Sequence, residues 1–305
     1  MNEQPKFPEL PSIEEIKKLI AEYETADLEK VSFNKLSVEL RKLKWIPILT
    51  AKLNKGYHIE RARINKPDEI FYSETDISYR NDYENIKSYG RANMKHQSLF
   101  YGAIESDVIK HPRLINLLET SQIFRNLDKI KVDKADFVMT VGKWRIKEDI
   151  EVAEMVFNQD SIKNSKDVEK SFKYHQENLA KEHPENLEQF RLILEFFSNQ
   201  FAKKEIEKNT DYMISAAFAD FVINWKGLPG LKYPSVKSDY VGHNIVLTPA
   251  AVEQFLELEI AAMFRITKNG ENSLISPIKH VTEFGPLNSS FKWVDYEPKE
   301  YKIEQ

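Results

Sequence analysis

The chain reads HIERARI from His58 to Ile64, an alternation of side chains that is compatible with a β-strand. Because successive side chains of a strand point to opposite faces, Arg61 and Arg63 are expected on one face. Further strands are predicted at 98–104, 129–144, 231–236 and 244–247. Together these segments predict a mixed β core.

Helical patterns precede and interrupt this core. Ser12 and Glu15 have the spacing of a capping box, in which the serine oxygen accepts from a free backbone N–H and the glutamate bonds back. Residues 148–208 contain no glycine and are rich in Glu, Lys, Asn and Phe, which predicts a helical insertion. Other helices are predicted at 33–43, from Pro112, at 214–221, and from Pro249 through Leu258.

The 305 residues are enough to bury a sizeable core. We expect an α+β fold with a helical N-terminal extension at 1–50 and a core domain at 51–265, which carries the helical insertion at about 148–208. The remaining residues, 266–305, are expected to form a C-terminal tail with further strands.

Composition excludes several classes of function. Hydrophobic residues make up 41% and charged residues 30%, which is typical of a globular protein. The formal net charge of −4 gives no general attraction to nucleic acid. The absence of cysteine excludes disulfides, thiolate zinc sites and cysteine nucleophiles.

Membrane and metal functions are not expected either. No stretch approaches the roughly 20 uninterrupted apolar residues that span a bilayer, and the first residues lack the basic start of a secretory signal. None of the seven histidines belongs to a His-Glu-x-x-His motif, so no catalytic metal is predicted. We expect a soluble, cytoplasmic protein.

Two arginines are candidates for binding a diphosphate. Arginine presents a planar fork of donors that can grip two phosphate oxygens at once. Arg61 lies on the first predicted strand, and Arg91 stands between Gly90 and Asn93, which let the backbone turn near a ligand. Surface salt bridges are the alternative interpretation for each arginine.

An aromatic residue and a serine are candidates for contacting the rest of such a ligand. Tyr101 precedes Gly102 and Ala103, and a ring beside small residues leaves a slot for a planar group. Ser235 lacks the surroundings of a nucleophile, so a positioning hydroxyl is expected. The alternatives are a core tyrosine and a turn serine.

Glu119 is the candidate for stabilising a positive charge. It follows two leucines on a predicted helix, and a carboxylate at the edge of an apolar stripe needs a partner. Cleavage of an N-glycosidic bond develops oxocarbenium character on the sugar, which a fixed carboxylate stabilises. Pairing with Arg125, or capping of local structure, is the alternative.

In order and local context, these motifs resemble the RES-domain family, named for its Arg, Glu and Ser. The matching segments are Glu60–Arg63 (ERAR), Gly90–Asn93 (GRAN), Phe100–Ala103 (FYGA), Glu119, Tyr233–Val236 (YPSV) and Asn244–Pro249 (NIVLTP). The resemblance covers roughly 56–126 and 210–258. Ala92 stands where the family has an aromatic residue, and 94–97 replaces its usual Pro-Gly turn.

The resemblance implies an ADP-ribosyltransferase-like fold and degradation of NAD by hydrolysis or phosphorolysis. It implies Arg61 and Arg91 on the dinucleotide, Tyr101 against nicotinamide, Glu119 as the key carboxylate and Ser235 as a polar positioning group. Asn93 is expected to help bind NAD, Arg61 and Tyr101 to assist catalysis, and a cognate antitoxin to be a partner. Transfer of ADP-ribose to a macromolecule and a non-catalytic, partner-binding module remain open as alternatives.

Overall fold

The structure, a computed structural model, describes residues 9–121, 134–270, 272–281, 283–284 and 290–297. Within them, ten strands form one sheet. In chain order the strands are β1 (Thr50–Leu53), β2 (His58–Ile64), β3 (Phe100–Ile104), β4 (Lys134–Ile146), β5 (Ile150–Glu154), β6 (Gly230–Pro234), β7 (His243–Leu247), β8 (Leu256–Asn269), β9 (Asn272–Val281) and β10 (Trp293–Asp295).

The spatial order of the strands is β1-β5-β6-β7-β3-β2-β4-β8-β9-β10. Only the β5–β6 pair among them is parallel, so the sheet is mixed. The segments at β2, β3, β6 and β7, which are far apart in the chain, therefore lie side by side at its centre.

Nine α-helices of the described residues surround the sheet. They are α1 (Ile13–Thr25), α2 (Phe33–Leu40), α3 (Glu74–Ile77), α4 (Pro112–Thr120), α5 (Gln159–Asn164), α6 (Lys166–Glu182), α7 (Leu187–Phe201), α8 (Met213–Asp220) and α9 (Pro249–Phe255). The predicted mixture of helices and strands in one fold is confirmed.

Several helices begin at a polar residue whose side chain satisfies a free backbone N–H. The side chains of Ser12, Ser32, Ser165 and Thr248 each accept from the N–H three residues on, at the starts of α1, α2, α6 and α9. The predicted capping box is confirmed, because Glu15 also accepts from the N–H of Ser12.

Strand register defines the two faces of the sheet. Ala103 pairs with both Glu60 and Asn244, and we call the face that carries these side chains the front face. The opposite, back face is covered by a core that includes Phe100, Trp144 and Ile245, all fully buried.

The front face packs against helices from two separate parts of the chain. Leu231 and Val246 of the sheet share a buried cluster with Phe197 of α7 and Phe218 of α8. The same cluster includes Ile16 of α1. The N-terminal extension and the helical insertion thus bury apolar surface against each other as well as against the sheet.

Three boundaries differ from the sequence-based prediction. β5 lies inside the segment predicted to be helical, because Ile150 and Val152 bury against the back-face core while their backbones pair with β1. The helix predicted to reach Leu258 ends at Phe255, where β8 begins. The predicted boundary at 265 and 266 falls inside β8, and 129–133 lies outside the described residues.

Two further features concern the described residues as a whole. No helix among them is long and apolar enough to cross a membrane. In the same ranges, no group of three or more His, Asp or Glu side chains is placed to hold a metal ion.

Candidate functional site

Helix α4 is fixed to the front face by one buried carboxylate. Glu60 is 3% exposed, and its Oε2 accepts from the backbone N–H of Arg113 at 2.6 Å. The backbone oxygen of Glu60 accepts from Asn116 Nδ2 at 2.8 Å. Negative charge at a helix N-terminus is favourable, because the free N–H groups there carry partial positive charge. Glu60 therefore holds the start of the helix that presents Glu119 near its other end.

The Glu119 carboxylate is held by two neutral donors from distant segments. Its Oε1 accepts from Ser235 Oγ at 2.7 Å and from Asn244 Nδ2 at 3.1 Å. Ser235 is fully buried and Asn244 is 7% exposed, whereas Glu119 is partly exposed. A carboxylate is thus fixed in place at the surface of the front face.

A tight turn after β6 positions Ser235. The backbone N–H of Ser235 donates to Gly242 O at 2.8 Å, and its carbonyl accepts from the N–H of Tyr240 at 2.9 Å. Asp239 and Tyr240 have positive φ angles of 50° and 69°, which lets the chain reverse directly into β7. This reversal brings Asn244 opposite Tyr233 in the β6–β7 register, beside the serine.

Tyr101 lies on the same face and its hydroxyl is already engaged. Its Oη donates to Asn93 Oδ1 at 2.7 Å and accepts from the backbone N–H of Ala92 at 3.1 Å. A Cβ at Gly90 would lie 2.3 Å from Asn93 Oδ1, so glycine is required for this close approach. Burial raises the pKa of Tyr101 far above its usual value, and the hydroxyl stays neutral.

Tyr233 connects the two halves of the site. It is 3% exposed, lies on β6 opposite Asn244 of β7, and comes two residues before Ser235. Burial raises the pKa of Tyr233, electrostatic interactions with Tyr101 and Glu119 raise it further, and the Arg91 charge opposes them. Groups that influence one another in this way lie close together. Glu119, Tyr101 and Arg91 therefore converge around Tyr233, and we call these residues, with Asn93, Ser235 and Asn244, the front-face site.

Arg91 joins this site to the helical insertion. Its Nη1 donates to Phe201 O at 2.6 Å and its Nη2 to Lys203 O at 3.2 Å, at and just beyond the end of α7. Its guanidinium lies 5.2 Å from the centre of the Tyr212 ring. A cation at a helix C-terminus is favourable because the last carbonyls carry partial negative charge. Arg91 thus has a structural role in the conformation described.

Arg61 is not on the front face. Glu60 faces the front, so alternation along β2 directs Arg61 to the back, where its guanidinium lies 5.4 Å from the centre of the Phe100 ring. Its Nε donates to Ser78 O at 2.9 Å and its Nη1 to the backbone oxygen of Tyr101 at 2.6 Å. Burial and the nearby Arg63 lower the pKa of Arg61 to about 10, which still leaves it charged at neutral pH.

The structure therefore brings together Arg91, Asn93, Tyr101, Glu119 and Ser235, as a shared pocket requires. It places Arg61 behind β3, in contact with Tyr101 only through the main chain of that residue. Arg61 and Arg63 do share one face, as predicted. Arg125, the alternative partner of Glu119, lies outside the described residues.

Sequence reasoning assigned no role to two residues of the site. Asn244 and Tyr233 belong to segments that were singled out, but the contact of Asn244 with Glu119 depends on strand register. A usable signal was available for Asn244, since a polar side chain in an otherwise apolar strand needs a partner.

Comparisons with known proteins leave the family open. No family model matches this chain, and no curated protein matches it. Among solved structures, a chain from the crystal structure of the M. tuberculosis MbcT–MbcA toxin–antitoxin complex aligns with 10% identity and a TM-score of 0.28. The alignment covers 69% of this chain and 85% of that chain. A likeness at this TM-score carries no argument about function.

Proposed function

We propose that this protein is an NAD-consuming enzyme that cleaves the N-glycosidic bond between nicotinamide and ribose. The observation that carries the proposal is the Glu119 carboxylate, fixed by Ser235 and Asn244 on a face that also presents Tyr101 and Tyr233. RES-family membership and an ADP-ribosyltransferase-like fold are part of the proposal, and the motif resemblance supports them. The same resemblance motivates a toxin-like activity restrained by a cognate antitoxin.

The chemistry needs one fixed negative charge. When the bond between the anomeric carbon and the pyridinium nitrogen breaks, its electron pair leaves with nicotinamide, which becomes neutral. The positive charge moves to the ribose as an oxocarbenium ion, and Glu119 stabilises it electrostatically. Water or phosphate then bonds to the anomeric carbon, and a water proton is released to solvent in the hydrolytic case. No general acid is required, because the leaving group is cationic from the start.

The donors to Glu119 suit this role. A hydroxyl and an amide orient the carboxylate through hydrogen bonds without supplying a positive charge of their own. Pre-oriented groups stabilise charge in a transition state better than groups that must reorganise during the reaction. Ser235 and Asn244 therefore act as positioning residues.

The two arginines enter the proposal differently. Arg91 belongs to the front-face site, and a guanidinium has five N–H donors, more than its carbonyl contacts use. It is the better candidate for the diphosphate. Arg61 donates to the Tyr101 carbonyl from the back face of the sheet. A direct contact of Arg61 with the dinucleotide therefore requires the ligand to reach that side of β2 and β3.

The test is an assay of purified protein with NAD, with and without phosphate, in which nicotinamide is followed by chromatography. We expect nicotinamide release, and a loss of at least about 100-fold in rate for Glu119→Gln, since removal of one such electrostatic group costs this much in other enzymes. Glu105→Gln is the matched control, because Glu105 is exposed and pairs with Lys110 outside the site.

Each result separates the rival functions. ADP-ribose or its phosphorylated form as co-product identifies water or phosphate as the acceptor. Labelled NAD that leaves label on protein or nucleic acid instead indicates ADP-ribosyl transfer. If the wild type releases no nicotinamide, the proposed activity is wrong and a non-catalytic module is favoured. If Glu119→Gln keeps the full rate while its circular dichroism is unchanged, the role assigned to Glu119 is wrong.

A further inference from the structure

The segment that joins α7 to α8 places a further tyrosine beside the front-face site. We call residues 202–212 the return segment, since they lead the chain from the helical insertion into α8. Tyr212 is the last residue of this segment and is half-buried. We propose that the Tyr212 hydroxyl binds the diphosphate of the dinucleotide beside Arg91, an inference that rests on the proposed function.

The backbone at Tyr212 is fixed on both sides. The Asp211 carboxylate accepts from the backbone N–H groups of Glu207 and Lys208, at 2.9 and 3.0 Å, and so closes the turn that precedes Tyr212. The carbonyl of Tyr212 accepts from Ser215 Oγ at 3.0 Å in the first turn of α8, a helix that is buried over most of its length. The ring is therefore presented from a well-defined position.

Arg91 is the nearest charged group to the Tyr212 ring. Its guanidinium carbon lies 5.2 Å from the ring centre, a distance at which a cation and an aromatic ring attract each other. Hydrogen bonds to the carbonyls of Phe201 and Lys203 hold the same guanidinium against the start of the return segment. A phosphate that binds the remaining N–H groups of Arg91 therefore comes within reach of Tyr212.

Lys204 adds a second positive charge on this side of the site. Its Nζ lies 5.1 Å from the centre of the Tyr240 ring, in the turn that holds Ser235. Burial raises the pKa of Tyr240 and the Arg91 charge opposes the rise, so both cations lie near this one phenol. Two cations on one side of a site favour a ligand with two negative charges, such as a diphosphate.

The Tyr212 hydroxyl is available to a ligand. It has no hydrogen-bond partner among the residues that the structure describes, and it is not one of the buried polar atoms there. The Tyr233 hydroxyl also has no partner within this part of the chain, although the residue is only 3% exposed. The Tyr101 hydroxyl, by contrast, already donates to Asn93 and accepts from Ala92.

These phenols lie close to one another. Burial is the main cause of the raised pKa of Tyr101 and of Tyr233, and the Tyr212 phenol raises both values further. Two free hydroxyls that face a shared space indicate a polar ligand between them, because polar groups in such a setting need partners. Tyr212 lies next to Arg91, so its partner is the diphosphate, whose charged oxygens accept strong hydrogen bonds.

The test is isothermal titration calorimetry on the full chain with ADP-ribose and with ADP, which both contain the diphosphate and lack nicotinamide. Tyr212→Phe keeps the ring beside Arg91 and removes only the hydroxyl. We expect this variant to bind both ligands at least about tenfold more weakly than the wild type, since a hydrogen bond to a charged group contributes this factor.

Two controls separate a ligand contact from a structural role. Tyr174→Phe, at a tyrosine of α6 that is 62% exposed, should leave the binding of both ligands unchanged. Urea unfolding of Tyr212→Phe should match that of the wild type, because the missing hydroxyl has no partner in the described part of the chain.

The outcomes distinguish this inference from the proposed activity. Unchanged affinity for ADP-ribose in Tyr212→Phe, a loss seen with ADP-ribose and absent with ADP, or no binding of either ligand to the wild type would overturn the role of Tyr212. If the wild type binds ADP-ribose, Tyr212→Phe binds it more weakly and no nicotinamide is released from NAD, the activity is wrong and the contact of Tyr212 with the diphosphate stands.

Discussion

Glu119 and Glu154 are both carboxylates held by side chains from distant segments, but their donors differ in kind. Glu154, 2% exposed at the end of β5, accepts from Ser171 and, at 3.0 and 2.8 Å, from His175 and Lys232. Lysine, and histidine when protonated, carry positive charge. Ser235 and Asn244, which donate to Glu119, contribute a hydroxyl and an amide, and neither group carries a charge.

The Glu154 cluster serves to connect parts of the fold. Ser171 and His175 belong to α6 of the helical insertion, and Lys232 belongs to β6 of the sheet. Burial alone would raise the pKa of Glu154, but the His175 hydrogen bond and the Lys232 charge outweigh it and lower the pKa to about 2. The carboxylate is therefore ionised, and its charge is balanced within the protein.

The comparison shows that burial of a carboxylate does not by itself mark a reactive site. A carboxylate with cationic donors has its field cancelled locally and stabilises the fold. Neutral donors orient a carboxylate without cancelling its field themselves. On this reasoning, substitutions at Glu154 should change stability and those at Glu119 should change turnover.

The largest effect is expected for Glu154→Gln. An amide in place of the carboxylate leaves the charge of Lys232, a largely buried side chain, without its counter-ion, which costs about 3–5 kcal/mol in the free energy of unfolding. Urea unfolding measures this loss, with Glu169→Gln as the control, because Glu169 forms a solvent-exposed ion pair with Lys173 on α6. If Glu154→Gln lowers the free energy of unfolding no more than the control does, the stabilising role that distinguishes Glu154 from Glu119 is wrong.

The dependence of stability on pH should also show that the ionised Glu154 stabilises the fold. Because the pKa of Glu154 falls from 4.5 to about 2 on folding, the unfolded chain binds more protons between these values. This stabilisation, about 3 kcal/mol by the size of the shift, is complete above pH 4.5 and is lost as the pH falls to about 2. Unfolding of the wild type and of Glu154→Gln across this range should converge at the acid end. Parallel curves would contradict the assignment.

The sequence predicted the central strands and the helical nature of most of the insertion, because periodicity within one segment is enough for both. It did not predict β5, because Ile150–Glu154 is short and lies in a Glu-rich region, and its strand conformation depends on pairing with β1 and β6. Pairing partners that lie far along the chain leave no local signal.

The sequence likewise predicted one part of the candidate site and not another. Glu119 and Ser235 were expected in one pocket, and they are hydrogen-bonded. The face on which Arg61 lies was not predictable, because it depends on the register between β2 and β3, which pairs Glu60 with Ala103. A shift of one residue in that register would exchange the faces.

Tyr101→Phe should have an intermediate effect. The change removes the hydroxyl that links Asn93 to the backbone N–H of Ala92 and leaves both groups without this partner, at about 1–3 kcal/mol in the free energy of unfolding. Tyr72→Phe is the control, since Tyr72 is 54% exposed. Equal stability of the two variants would show that the hydroxyl does not organise the loop at Arg91.

The smallest effect on stability, and the sharpest form of the comparison, is expected for Glu119→Gln. Glutamine keeps an oxygen that can accept from both Ser235 and Asn244, and the side chain is partly exposed, so the free energy of unfolding should fall by about 1 kcal/mol or less. Urea unfolding of Glu119→Gln beside Glu154→Gln measures the difference directly. If Glu119→Gln instead destabilises the protein as much as Glu154→Gln does, its charge supports the fold, and a loss of nicotinamide release in that variant could no longer be assigned to the transition state.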